Sequence, residues 1–167
     1  MWGRISEIFA SLPAQRSVAR KMIELGLRID DDGRILCGEV EVKEVSLAKA
    51  AGVDRRIVVS TVSSILSDRN LHKLFSGIQP AGSLLKGIAK DLGFGAVELE
   101  ADAKKPSIIS AATALLAEKR ISIRQIYAKD PELFEVPTLV IITERPIPGA
   151  LISQFSKIPG VTKVSII

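Results

Sequence analysis

Aromatic side chains are scarce in this chain: five Phe, one Trp and one Tyr, 4% of 167 residues. Its core must therefore be aliphatic, and stacking of rings on nucleic-acid bases is excluded as a recognition mode over most of the sequence. Cysteine and histidine occur once each, as Cys37 and His72. A single cysteine closes no internal disulfide. With one His and one Cys, a structural zinc site lacks its set of N/S ligands. Ser-His-Asp chemistry would rest on His72 alone, and no nucleophile motif surrounds it. We read Cys37 as a packing residue of a hairpin and His72 as a surface residue of a helix. Also missing are a glycine-rich phosphate loop and a recognisable carboxylate pair, so neither an enzyme nor a cofactor is expected. No apolar run reaches the ~18 residues of a membrane span. The start, MWGRISEIFASLP, carries Glu7 and is too short and mixed for a signal peptide. The expectation is a cytoplasmic protein without membrane contact.

What is present is a large aliphatic fraction, with 47% hydrophobic residues, enough to build a core and to exclude wholesale disorder. Net charge is +4. Residues 1–92 hold fourteen Lys/Arg against eleven Asp/Glu, and residues 93–167 hold nine against eight. This mild basic excess permits an anionic partner in the first part.

The first part reads as helical with a small hairpin. Trp2, Ile5, Phe9 and Leu12 fall at helical spacing. Pro13 opens a second run, with Val18, Met22, Ile23 and Leu25 apolar and Gly26 as its stop. Asp31, Asp32 and Gly33 separate two β-prone runs, a turn signal. No EF-hand spacing follows those aspartates, so we read a plain turn rather than a calcium site. In SLAKAAGVDRRIVVSTVSSILSD, Ser46 is placed to cap a short helix ending at Ala51. Gly52 breaks it, and Asp54 caps the next helix, whose apolar stripe is Ile57, Val58, Thr61, Val62, Ile65 and Leu66. This is a helix-turn-helix pattern. The solvent face of its second helix carries Arg55, Arg56, Val59, Ser60 and Ser63, residue types that reach phosphates and base edges. A purely structural or dimerising helical hairpin is the other reading of the same stretch.

SLLKGIAKDL reads as a short amphipathic connecting helix, and we place the domain boundary after Leu92. From Gly95 the order is strand, helix, strand, strand, helix, strand. GAVELEA alternates, PSIISAATALLAEKR has a helical stripe, ISIRQIYA reads as a strand with a slip at Gln125 and Ile126, and TLVIIT is the continuous apolar run of a central strand. PGALISQFSKIPG and VTKVSII complete a second strand-helix-strand half resembling the first. The fold class is thus α+β: residues 1–92 a helical domain with a small β-hairpin, residues 93–167 a ferredoxin-like βαββαβ unit with both helices on one face. The other face is expected to be bare, with Ile126 or Val140 exposed to a second copy.

The stretch VELEADAKKPSIISAATALLAEKRISIRQIYA, followed in order by LVIIT and IPGVTKVSII, resembles the ACT domain, a small module that often binds amino acids. With GVDRR between its helices and ISIRQ and PIPG downstream, the whole chain looks like the predicted archaeal regulators of amino acid metabolism. That resemblance implies a homodimer or larger homo-oligomer formed through residues 93–167, with an amino-acid effector at a domain interface. It implies ligand contacts from Lys104, Lys105, Pro106, Ser107 and Ile108 in the loop after the first strand, and from Ile121 and Ser122 at the start of the second. Pro106 matches the usual loop. Ser107 stands where it has glycine, Lys104 where it often has asparagine, and Arg120 and Ser122 where the strand has glycine and asparagine.

Two uses stay open. In one, the ACT half dimerises and sets two helix-turn-helix segments on DNA half-sites about one turn, ~34 Å, apart. In the other, the helical segment docks on a metabolic enzyme and the ACT half senses a metabolite without DNA.

Overall fold

The computed structural model describes Trp2–Ile167. Among these residues the chain is α+β, with seven α-helices and two antiparallel sheets. Two compact units divide between Gly82 and Ser83.

In the first unit α1 (Trp2–Ile8) buries Trp2 and Ile5, and Phe9 behind it is buried too, whereas Leu12 is exposed. Pro13 starts α2 (Pro13–Leu25), where its missing N–H costs nothing. Gly26 ends it in the left-handed conformation at φ 67°. A Cβ there would lie 2.6 Å from Pro80 Cα, so glycine is required by space as well as by dihedral. Three short strands follow, β1 (Arg28–Ile29), β2 (Ile35–Cys37) and β3 (Val40–Glu41), paired in that order. The turn between β1 and β2 is organised by Asp30, which accepts from the Asp32 and Arg34 amides. Then come α3 (Glu44–Ala51), α4 (Arg55–Ser67) and α5 (Arg69–Ser76). Helices α2, α3 and α4 pack on one another, and α4 packs on α5. Val58, Thr61, Val62 and Ile65 of the α4 stripe are buried, and Ile57 and Leu66 are half-buried. Ser46 does not cap α3. The helix starts earlier, behind Lys43, with no side-chain cap, and Ser46 lies inside its first turn.

In the second unit β4 (Gly95–Ala101), α6 (Ser107–Glu118), β5 (Ile123–Ala128), β6 (Thr138–Thr143), α7 (Gly149–Phe155) and β7 (Val161–Ile166) follow the expected order. The sheet runs β5-β6-β4-β7, all antiparallel, with β4 and β6 central. TLVIIT is buried over its whole length, as a central strand must be. Val97, Leu99, Leu139 and Ile141 point to one face and pack with Ile108, Ala112 and Leu116 of α6 and Leu151 and Phe155 of α7. The two helix starts repeat, each with proline in the N-cap position, Pro106 and Pro148.

The opposite face is not bare. Residues 85–94 fold over it, and Ala89 packs with Ala96, Val140 and Ile142, with Leu85, Phe94 and Tyr127 against them. Val140 is only 1% exposed. Ile126 is exposed, but it pairs with Ile141 and so belongs to the helix side of the edge strand β5. The connecting helix expected in SLLKGIAKDL is only a 3-10 turn, Leu85–Ile88. Gly87 weakens a helix there, and the sheet takes Leu85 and Ala89, leaving Leu84, Ile88 and Leu92 outward and exposed. Gln125 fastens the segment, accepting from the Leu85 amide at 3.0 Å and donating to the Ser83 carbonyl at 2.8 Å. Lys86 pairs with Glu98 at 2.6 Å. These ties put residues 83–92 with the sheet, ten residues before the boundary read from composition.

Candidate functional site

Each unit holds one candidate. In the first, α3 ends at Gly52, whose φ of 68° reverses the chain, and the Val53 amide closes the turn on the Ala48 carbonyl at 3.0 Å. Asp54 then caps α4, accepting from the Arg56 amide at 2.8 Å. With the carboxylate held on the helix start, the open surface of α4 presents Arg55, Arg56, Val59 and Ser63, all exposed. The Arg55 guanidinium stands 3.9 Å from Glu44 at the head of α3, a distant and solvated pair. Ser60 is different. It is half-buried, donates to the Ile57 carbonyl at 3.0 Å and accepts from Gln15 Nε2 on α2 at 3.2 Å. Its hydroxyl belongs to the α2–α4 contact.

In the second unit the loop after β4 is tied at both ends. The Asp102 amide donates to the Gly160 carbonyl at 2.9 Å, and the Lys105 amide to the Asp102 carbonyl at 3.0 Å. The Lys105 stem crosses Gly160 so closely that a Cβ there would lie 2.7 Å from Lys105 Cδ. Ser107 is the first residue of α6 and does not cap it; no side chain does. Lys104, Lys105, Pro106 and Ser107 are exposed and Ile108 is buried.

Beside this loop is a cavity of about 230 Å³. Its near wall is Ala101, Lys105, Pro106, Ile108 and Ile109; its far wall comes from the end of β5 and the start of β6, with Ala128, Lys129 and Leu139. The far wall has no local sequence signal. It is brought in by register alone, because Ala128 pairs with Leu139 and Leu139 with Leu99. Of the expected ligand residues, Lys105, Pro106 and Ile108 line this cavity. Ile121 and Ser122 do not: β5 begins against Thr143, which pairs with Gly95, at the far end of the sheet from the loop. Ile121 is buried, and the Ser122 amide donates to Glu144 Oε1 at 3.1 Å.

Among the described residues no group of three or more His, Cys, Asp or Glu is placed to hold a metal ion, and no helix is long and apolar enough to cross a membrane. No protein-family model matches the sequence, and no curated protein does. Among solved structures, a homoserine dehydrogenase from Thiobacillus denitrificans is 16% identical over 69% of this chain, with a TM-score of 0.34, and this chain covers 28% of its length. A structure described as a transcriptional regulator is 16% identical over 92% of this chain and 89% of its own, with a TM-score of 0.27. Overlaps this low leave the function to the geometry of the two sites.

Proposed function

We propose that the protein is an effector-responsive regulator rather than an enzyme, binding DNA through α4 and dimerising and holding a small ligand through its second unit. The observation that carries the DNA half is the open face of α4. Arg55, Arg56, Val59 and Ser63 stand exposed over its first turns, while Asp54 beside them is bonded to the helix amide and Glu44, 3.9 Å from the Arg55 guanidinium, makes only a distant, solvated pair. As a helix-turn-helix, α4 would enter the major groove. Its guanidinium groups then meet phosphates or guanine edges and Val59 a thymine methyl.

The ligand half rests on the ACT-like order of strands and helices. The loop residues and the start of β5 lie at opposite ends of one sheet, so one copy does not assemble the whole ligand set. Two copies paired antiparallel along the edge strand β5 would bring residue 122 of one near residue 129 of the other, at the cavity mouth. The same pairing covers Ile126, exposed at the middle of that edge.

The test is a gel shift with DNA from upstream of the protein's own gene, at low and physiological salt. Specific retention is expected. Arg55→Ala and Arg56→Ala should each weaken it by about 1–3 kcal/mol, or lower the salt slope by about one unit, without lowering the melting temperature. No binding at low salt, or binding indifferent to sequence, refutes the regulator. A second reading, a subunit docking on a metabolic enzyme, draws on the outward row Leu84, Ile88 and Leu92. Recovery of an enzyme in a pull-down, with no DNA binding, would favour it.

A further inference from the structure

The cavity beside the β4–α6 loop has a one-sided chemistry. Its volume, about 230 Å³, lies below the roughly 300–1,000 Å³ of pockets for drug-sized ligands, so it suits a small metabolite. Its walls are aliphatic, from Ala101, Ile109, Ala128 and Leu139 among others. The charged residues that line it are Lys105 and Lys129, and no Asp or Glu lines it. The acids next to the lining residues in sequence are not part of the lining, and each is engaged in its own turn. Asp102 Oδ1 accepts from the Lys104 amide at 3.1 Å, and Asp130 Oδ1 accepts from the Glu132 amide at 2.8 Å. Lys129 is half-buried, with Nζ 5.3 Å from the centre of the Phe134 ring, a contact that holds it without neutralising it.

An α-amino acid brings both a carboxylate and an ammonium group. The carboxylate has two lysines to meet here. The ammonium has no carboxylate to meet. Thr138, the one hydroxyl residue in the lining, has a buried Oγ1 without a partner, and it can donate to an oxo oxygen as readily as accept from an ammonium. The ammonium would be desolvated beside two groups of its own sign. A molecule with the same carbon skeleton but an oxo group or hydrogen in place of the ammonium presents only acceptors. We propose that this cavity binds a short aliphatic carboxylate without an ammonium group, such as a branched 2-oxo acid, in preference to the corresponding amino acid. The inference rests on the ligand half of the proposed function and changes its ligand class. The effector is then the deaminated carbon skeleton.

The experiment is calorimetric titration and thermal shift of the full chain with 4-methyl-2-oxopentanoate, leucine and inorganic phosphate. Expected is saturable binding of the oxo acid with a rise in melting temperature, leucine at least tenfold weaker, and no shift with phosphate. Lys105→Gln and Lys129→Gln should each weaken the oxo acid about tenfold. Ala128→Leu, filling the cavity from an exposed strand position, should abolish binding while the protein stays folded. Leucine binding as tightly as the oxo acid would overturn the ligand class and leave the amino-acid effector standing. Phosphate binding equally well would overturn the part given to the apolar walls. Binding that survives Ala128→Leu, or no binding by any of the three, would overturn the cavity as the site, while the DNA-binding test of α4 is decided separately.

Discussion

The Asp54 carboxylate accepts a hydrogen bond from the Arg56 amide at 2.8 Å across the first turn of α4. It thereby satisfies a helix-end donor and directs its charge at the positive end of the helix dipole, beside two arginines it would otherwise oppose. Asp54→Ala should cost about 1 kcal/mol in urea denaturation. Asp54→Asn keeps an acceptor in place and should stay within about half a kcal/mol of the parent. Because it removes a negative charge next to Arg55 and Arg56, the Asn variant should also bind DNA more tightly at low salt if α4 faces phosphates. Equal destabilisation by Asn and Ala would sink the capping argument.

Gln15 joins α2 to α4 by both ends of its amide. Nε2 donates to Ser60 Oγ at 3.2 Å, and Oε1 accepts from Ser64 Oγ at 3.2 Å. Both serines also bond within their own helix, to the Ile57 and Ser60 carbonyls, so removing Gln15 leaves no hydroxyl orphaned. Gln15→Ala should therefore cost only about 0.5–1.5 kcal/mol. The sharper measurement is the double-mutant cycle with Ser60→Ala, which should give a coupling of at least about 0.5 kcal/mol. A cycle that closes at zero would mean the amide adds nothing to the helix contact.

What the sequence made legible follows period and punctuation. Alternation in GAVELEA, the unbroken apolar run of TLVIIT and two similar strand-helix-strand halves sufficed for the order of the second unit. Gly52 and Asp54 marked a helix stop and a helix start through chemistry that acts over three residues. The misses involve longer range. Nothing in SLLKGIAKDL announces that Leu85 and Ala89 turn to a sheet whose strands begin at Gly95. The face of Val140 was read as bare for that reason. Ser60 sits on the face of α4 that periodicity assigns to solvent, yet Gln15, 45 positions earlier, engages it. Ser46 has the residue type of a cap, but it lies inside a helix started by its neighbours. The far wall of the cavity depends on strand register, which local composition does not encode.

Asp30 makes the β1–β2 turn sensitive to acid. Partial burial pulls its carboxyl up, but the Arg34 amide and guanidinium, with the Asp32 amide, outweigh this and hold it below the ordinary aspartate range. The guanidinium contact is 2.7 Å. The unfolded chain thus protonates Asp30 at higher pH than the folded one. The turn's stabilisation is complete above the ordinary aspartate range and is lost as pH falls through the lowered folded value. Carbon-13 NMR should show Asp30 titrating below the free-peptide value, with exchange of the Arg34 amide speeding over the same interval. In Asp30→Asn that amide should exchange independently of pH protonation of residue 30, after correction for intrinsic rates. An Asp30 titration at or above the free-peptide value would contradict this account.

Arg120 is the one non-glycine with positive φ among the described residues, at 51°. It ends α6 in the way Gly26 ends α2 and Gly52 ends α3. The Ile121 amide bonds the Leu116 carbonyl at 3.0 Å and the Arg120 amide bonds the Ala117 carbonyl at 2.9 Å, with Ile121 and Leu116 both in the core. The left-handed conformation costs a side-chain-bearing residue roughly 1–2 kcal/mol, against about 0.5–1 kcal/mol of extra chain entropy for glycine. Arg120→Gly should therefore stabilise the protein by about 0.5–1 kcal/mol, whereas Arg120→Val should destabilise it. Arg145 Nη2 reaches the carbonyls of Lys119 and Arg120 at 3.2 and 3.3 Å. These are main-chain acceptors and survive either substitution, so the gain from glycine should persist in an Arg145→Ala background. A fall in melting temperature for Arg120→Gly would mean that the arginine side chain stabilises the fold by more than the strain of its backbone.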